Sequence, residues 1–453
     1  MLKPRGAFAG FGEVNSPMDV IEASCARAKQ LLEHSGIELI STPVITDDCE
    51  RRDIKRAISN LKGKDFDFLV VCLAGWIPTH AVIDIINEFK EKPMILWGLS
   101  GRYEGGRLVT AAAQAGTSAL RKVMEDMGFN FTYVYNLPGK DDGVEKVVRY
   151  ATAAAAAARL RRARIGMMGY RDMNLYGTLF DGVSLRSRIG PDIEIFEMLE
   201  MMQRLESLDK ASIDKVVEEQ IEAKWKFVND ENREVLQKGA AYYLAIRQKV
   251  VERGYEAVSL IDVDGMKKLL GFPPAIIFML LGQDPGICTV PENDSLGAVT
   301  QLMARYLTGQ ISAYLEFYEF MEESVLLGAP DFVPDEVVDG DIKVMFANFG
   351  KISAGAMNVS TVRSGRVSIF RLTAKDGRYA MHMAGGVASV PGKWEEAGWS
   401  QPAPQLPSLE IKLDMPVEQF AQNVMSQHYI VTYGDNLAVM KDLCRILGVD
   451  VIE

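Results

Sequence analysis

Glu292 and Glu316 are the residues in this chain with the clearest potential for chemistry. Glu292 stands where the apolar run GICTV ends at Pro291, just before the helix-like run SLGAVTQLMARYL. Glu316 lies inside SAYLEFYEF, between Leu315 and Phe317. A carboxylate in apolar surroundings is expensive to bury unless a cation, a hydrogen-bond network or a metal compensates it. Two carboxylates at one site repel and demand a counter-charge. A divalent cation with a nearby imidazole would supply it. The simpler reading is that Asp294 or Ser295 caps the following helix and that Glu316 pairs with a lysine or arginine.

Four histidines are available as partners: His34, His80, His382 and His428. His34 ends a helix-like run, where a cation suits the helix dipole. His80, in GWIPTH, follows a strand-like run at its carboxyl edge, where parallel sheets bind ligands. His382 alternates within a hairpin strand. His428, in SQHYIVTYGD, sits where a helix gives way to a strand and remains open to either reading.

These residues need elements to hold them. DFLVVCLAG (67–75) and PMILWGLSG (93–101) are continuous apolar runs, the pattern of strands buried on both faces. They alternate with helical segments: the run after Asn15-Ser16-Pro17, AAAQAGTSALRKVMEDMG, and the Ala-rich DDGVEKVVRYATAAAAAARLRRA. The pattern predicts a parallel sheet flanked by helices over residues 1–158. A second α/β section over 159–330 opens with the strand RIGMMGY. It continues through IEIFEML, two charged helices from about 210 to 253, YEAVSLIDVDG and the apolar run PPAIIFMLLG. GICTV and ISAYLEFYEF complete it as strands. On that reading one helix separates the two glutamates, and a strand–helix–strand crossover sets their strand ends side by side. From 331 to 453, short strands with DGD and KDG turns predict a β-barrel-like domain. The fold class is therefore α/β: two doubly wound α/β domains followed by a C-terminal β-barrel-like domain.

Composition narrows the function. The net charge of −11 and the absence of a long basic block exclude nucleic acid as an expected partner. Only RLRRAR (159–164) is locally basic, and it ends the Ala-rich helix. No apolar run approaches the roughly 20 residues that span a bilayer, and the N-terminus lacks a signal-peptide core. Five cysteines without a CxxC pair fit a reducing compartment, so a cytoplasmic protein is expected. A dinucleotide GxGxxG, a P-loop, GxSxG and HExxH are all missing.

PENDSLGAVTQLMARYLTGQISAYLEF resembles the segment of L-fucose and L-arabinose isomerases in which an acid opens a helix and a second acid follows on the next strand. SQHYIVTYGD is similar to the segment carrying that family's metal-binding histidine. The resemblance implies that Glu292 and Glu316 are both metal ligands and the acid/base pair, with His428 as third ligand. It implies Mn2+, or Mg2+ or Co2+, as cofactor. Trp76, in CLAGW, matches a substrate-contacting tryptophan contributed by a neighbouring subunit, and Arg171 and Asn174, in MMGYRDMN, match pocket-lining positions. The implied protein is a homo-oligomer, trimeric or hexameric, that interconverts an open-chain aldose and a ketose through a cis-enediol. Its substrate would be a pentose, a 6-deoxyhexose or an acid-bearing hexose such as sulfoquinovose. The family's fucose isomerases carry Asp at the position of Glu316, and the second metal histidine of its arabinose isomerases has no counterpart near 333. Two other classes fit the same features: a non-catalytic sugar-binding protein, and a metal-dependent epimerase or aldolase.

Overall fold

The structure is a computed structural model that describes residues 2–329, 332–349, 353–395 and 406–453. The chain forms two compact units, 2–158 and 159–453.

The first unit is a five-stranded parallel sheet of β1 (Arg5–Phe11), β2 (Glu38–Ser41), β3 (Phe68–Leu73), β4 (Met94–Gly98) and β5 (Phe131–Tyr135). Their order is β2-β1-β3-β4-β5. Every residue of β3 and β4 is buried, as their unbroken apolar runs predict. β1 carries glycines for steric reasons. A Cβ on Gly6 would lie 2.6 Å from the Phe68 ring, and one on Gly10 would lie 2.6 Å from Cys25 Sγ. Helices Met18–His34, Arg52–Leu61, Thr79–Ile86, Ala113–Asp126 and Val144–Leu160 connect or follow the strands.

Among the described residues, two of the second unit's three strand systems position the site; the third pairs Trp225–Phe227 with Ile342–Phe349 and that strand with Ser353–Asn358. The first is a parallel sheet of β6 (Arg164–Met168), β7 (Asp192–Phe196), β8 (Ala257–Leu260) and β9 (Cys288–Val290), in the order β9-β8-β6-β7. The charged stretch from 210 forms a helix, Lys210–Val216, continued by a wider turn over Val217–Glu222. The short strand Trp225–Phe227 and the long helix Arg233–Arg253 follow. PPAIIFMLLG forms the helix Ala275–Gln283, apolar all round and buried in the core. Among the described residues, no single helix is long and apolar enough to cross a membrane.

The second system is a closed barrel of β10 (Ala313–Phe320), β11 (Ser324–Gly328), β12 (Gly365–Lys375), β13 (Arg378–Ser389), β14 (Ser408–Leu413) and β15 (His428–Tyr433). Its order is β12-β15-β10-β11-β14-β13, and the β12–β13 pairing closes the circle. β16 (Asp450–Ile452) adds in parallel to β13. The KDG turn joins β12 to β13, with Asp376 at φ 51° and Gly377 at φ 74°. Two positive φ angles match the right-handed twist of a tight hairpin. Leu315, Val325, Leu327, Val367, Ile369, Leu409, Ile411 and Val431 contribute to the core of this region.

Here one expectation is corrected. ISAYLEFYEF does not complete the second parallel sheet. Its strand, β10, pairs antiparallel with β11 and β15 inside the barrel. Met321–Glu323 is a turn too short for a parallel crossover but sufficient for an antiparallel hairpin, and that local pairing claims the strand.

The helix Ser295–Thr308 links the two strand systems. Ten consecutive residues at its start, Ser295 to Ala304, are buried. Thr300 Oγ1 accepts the backbone N–H of Leu372 on β12 at 3.0 Å. Asp294, the N-cap, accepts the Gly297 N–H at 2.9 Å. It also forms a bidentate ion pair with Arg371 of β12, with Nη2 at 2.9 Å from Oδ1 and Nη1 on Oδ2. Both side chains are at most 2% exposed. Removing one partner of such a pair strands the other charge in the interior. We therefore predict that Asp294→Ala costs about 3–5 kcal/mol. The double variant Asp294→Leu/Arg371→Met should recover much of that loss. Denaturant unfolding of the two proteins checks both statements.

Candidate metal and acid–base site

The site begins at the carboxyl end of β9. Glu292 and Asn293 have φ angles of 61° and 53°. Two successive non-glycine residues in the left-handed region cost on the order of 1–2 kcal/mol each. The surrounding hydrogen bonds hold them there. Asn293 donates its backbone N–H to Leu260 O at 3.2 Å and its Nδ2 to Met168 O at 2.9 Å, reaching the ends of β8 and β6. Ser295 N donates back to Asn293 O at 3.1 Å. The chain thus turns sharply before the helix begins, and Glu292 is left at 7% exposure at the sheet edge.

β10 and β15 bring the other two groups. Glu316 and His428 are direct cross-strand partners, so their side chains share a face. His428 Nε2 lies 3.5 Å from Glu316 Oε2, and His428 Nδ1 lies 3.8 Å from Glu292 Oε2. The imidazole therefore stands between the two carboxylates, one facing each nitrogen. The Tyr314 ring stacks on it at 4.5 Å and 21°. Tyr314 also donates its hydroxyl to Asp294 Oδ2 at 2.7 Å. One chain of contacts therefore runs from the buried ion pair through Tyr314 to His428.

Electrostatics follow from this packing. Burial pushes His428 down to about 3; Asp294 opposes the shift and Arg371 adds to it. His428 is therefore neutral across the physiological range, the form that binds metals. Burial works against the Asp294 carboxylate, yet Arg371 and its other donors outweigh it and its pKa is lowered. Burial, reinforced by the Asp294 and Glu292 charges, keeps the Tyr314 hydroxyl protonated.

Two carboxylates and a neutral imidazole are a donor set suited to a divalent cation of the Mn2+ or Mg2+ kind. The three side chains stand as neighbours rather than as a closed ligand set. Among the described residues, no group of three or more His, Cys, Asp or Glu is already drawn around one point.

Of the other predicted residues, Arg171 and Asn174 lie on the loop after β6, at the same sheet edge as Glu292. They bond to each other, Arg171 Nη2 to Asn174 Oδ1 at 2.9 Å, and Arg171 stacks on Tyr176. Between them, buried Asp172 accepts N–H bonds from Val263 at 2.7 Å, Asp264 at 2.8 Å and Met173 at 3.0 Å. Asp172 thereby ties this loop to the one after β8. Trp76 belongs to the first unit, on the loop after β3, with its side chain 40% exposed. His34 and His80 are exposed on helices. Arg371, Tyr314 and Asp172 escape sequence reasoning. Arg371 and Tyr314 sit in apolar strand patterns with no local sign of an ionic partner. The DMN turn around Asp172 was its only hint.

Three comparisons bear on this arrangement. Residues 328–453 match the family model of the L-fucose isomerase C-terminal domain. An L-fucose isomerase of Escherichia coli is 20% identical over 66% of this chain and 56% of its own length. One of Shigella dysenteriae is 21% identical over 51% of this chain and 45% of its own. These matches support a divergent, fucose isomerase-like relationship, carried most directly by residues 328–453. It spans about half the length of the curated relatives it matches. A periplasmic solute-binding protein from Actinobacillus succinogenes, solved with bound D-allose, covers 69% of this chain and 84% of its own. Its 12% identity and TM-score of 0.17 are too low to carry an argument.

His382 contrasts with His428. It is fully buried and stacks on Phe420, and its Nδ1 meets the Tyr429 hydroxyl. Burial lowers its pKa to about 4. The unfolded chain therefore binds this proton between about pH 6.5 and 4 while the folded chain does not. The stabilising contribution is complete above the upper value and is lost as pH falls through the lower one. The pH dependence of unfolding free energy across this window should be steeper in the parent than in His382→Gln; equal slopes would remove His382 from the acid response.

Proposed function

We propose that this protein is a metal-dependent aldose–ketose isomerase acting on an open-chain sugar, with Glu292 and Glu316 as the acid–base pair. The observation that carries the reading is the convergence of both glutamates on the neutral His428 from separate strand systems. The similarity to L-fucose isomerases points to the same chemistry. Glu292, Glu316 and His428 would hold the divalent ion, Mn2+ or else Mg2+ or Co2+. When bound, such an ion polarises the sugar carbonyl and acidifies the neighbouring C–H. One glutamate takes the proton from C2, and the other serves the sugar oxygen as the cis-enediol forms. Return of the proton to C1 yields the ketose. Tyr314 holds the His428 ring in plane, and the buried ion pair holds Tyr314. Trp76, Arg171 and Asn174 are proposed as sugar contacts. The reading includes a cytoplasmic homo-oligomer, trimeric or hexameric.

Fucose, as a 6-deoxyhexose, heads the substrate panel, followed by pentoses and acid-bearing hexoses including sulfoquinovose. We predict Mn2+-stimulated conversion of at least one of these, lost on chelation. Glu292→Gln should abolish turnover while leaving the circular dichroism and unfolding profile close to the parent. Undiminished isomerase activity in Glu292→Gln would overturn the assignment. Saturable sugar binding without product in the metal-loaded parent would favour a binding protein. A product epimeric with the substrate, or cleaved, would favour the epimerase or aldolase reading.

A further inference from the structure

The first unit carries a cleft of about 310 Å3 at the carboxyl ends of β4 and β5, built wholly from residues of that unit. Its size lies at the lower end of small-molecule pockets. Crevices outside the carboxyl ends of parallel strands are where open α/β sheets bind ligands.

The cleft is preformed. Its walls are the loops 99–102 and 136–141, and these are tied together. Gly139 donates its N–H to Gly101 O at 2.9 Å, and Ser100 Oγ donates to Leu137 O at 2.8 Å. Gly139, at φ 72°, supplies the left-handed turn that brings the second loop back. Trp97 and Asn136 line the buried end at 1% and 3% exposure. Trp97 Nε1 donates to Asn136 Oδ1 at 2.8 Å. An indole nitrogen is a donor only, so this contact fixes the carboxamide's orientation and leaves its NH2 as the donor end.

Charge names the ligand class. Arg27, Arg102 and Lys140 line the cleft; Arg27 is paired to Asp141, the one lining carboxylate, and Arg102 to Glu104 beside it. Such a local excess of cations in a chain of net charge −11 marks a site for an anion. Three cations against two carboxylates leave the cleft net positive, and arginine recognises phosphate oxygens through paired N–H donors.

We propose that this cleft binds a phosphoryl dianion, either free phosphate or the phosphate end of a small sugar ester, using side chains of the first unit alone. The proposal does not rest on the isomerase reading.

Isothermal titration of the full chain tests it with four probes: inorganic phosphate, glucose 6-phosphate, glucose, and sodium chloride at matched ionic strength. Saturable binding is expected for one or both phosphates and for neither control. Tighter binding of the ester would assign the site to an organic phosphate, and equal affinities to the phosphoryl group alone. Arg27→Gln/Lys140→Gln changes exposed side chains and should weaken binding roughly tenfold or more, equivalent to about 1.4 kcal/mol. Glu292→Gln should bind as the parent does. Absence of phosphate binding, full affinity in the double variant, or loss of affinity in Glu292→Gln would each overturn the proposal.

Discussion

The Asp294–Arg371 ion pair is the interaction on which the second unit's organisation turns. Asp294 caps the buried helix Ser295–Thr308, which links the parallel sheet to the barrel. Arg371 reaches it from a barrel strand, and both groups are almost completely excluded from solvent. Coulomb attraction is strong there because water is excluded, and desolvation is costly for the same reason. The pair is stable only when both elements are in place. It therefore specifies a docking geometry more than it adds net stability. Tyr314 reads that geometry through its hydroxyl and passes it to His428 through ring stacking.

The same loop holds backbone strain and a candidate site carboxylate in one place. Glu292 and Asn293 occupy left-handed backbone while Asn293 bonds the ends of two neighbouring strands. A relaxed turn at this point would carry the carboxylate elsewhere. The hydrogen bonds of the sheet edge thus offset a backbone penalty and, in return, fix where Glu292 points.

Much of this was legible from residue pattern. Unbroken apolar runs such as FLVVCL mark strands buried on both faces, and the KDG turn marks the barrel's hairpin. Glu292 and Glu316 stood out because acids in apolar settings need an explanation, and His428 because it opens a strand. The route by which the three meet was not legible. Apolar alternation in ISAYLEFYEF is equally compatible with a parallel sheet and a barrel, and only the short turn at Met321–Glu323 separates them. Arg371 was hidden because its partner lies on a distant helix cap, and Tyr314 because a tyrosine in a strand looks like ordinary core. Long-range pairings of this kind leave no local periodicity to read.

The helix Ser295–Thr308 has a further consequence through its position. Glu292 stands before it on the parallel sheet, whereas Glu316 and His428 follow on the barrel. The three groups become neighbours only after chain segments more than a hundred residues apart have closed. Closing so long a loop is entropically late in folding, after each local core can form. A half-assembled chain, with its sheet and barrel separately formed, would hold its carboxylates and its imidazole apart. The meeting of these three side chains is thus withheld until the whole second unit is native.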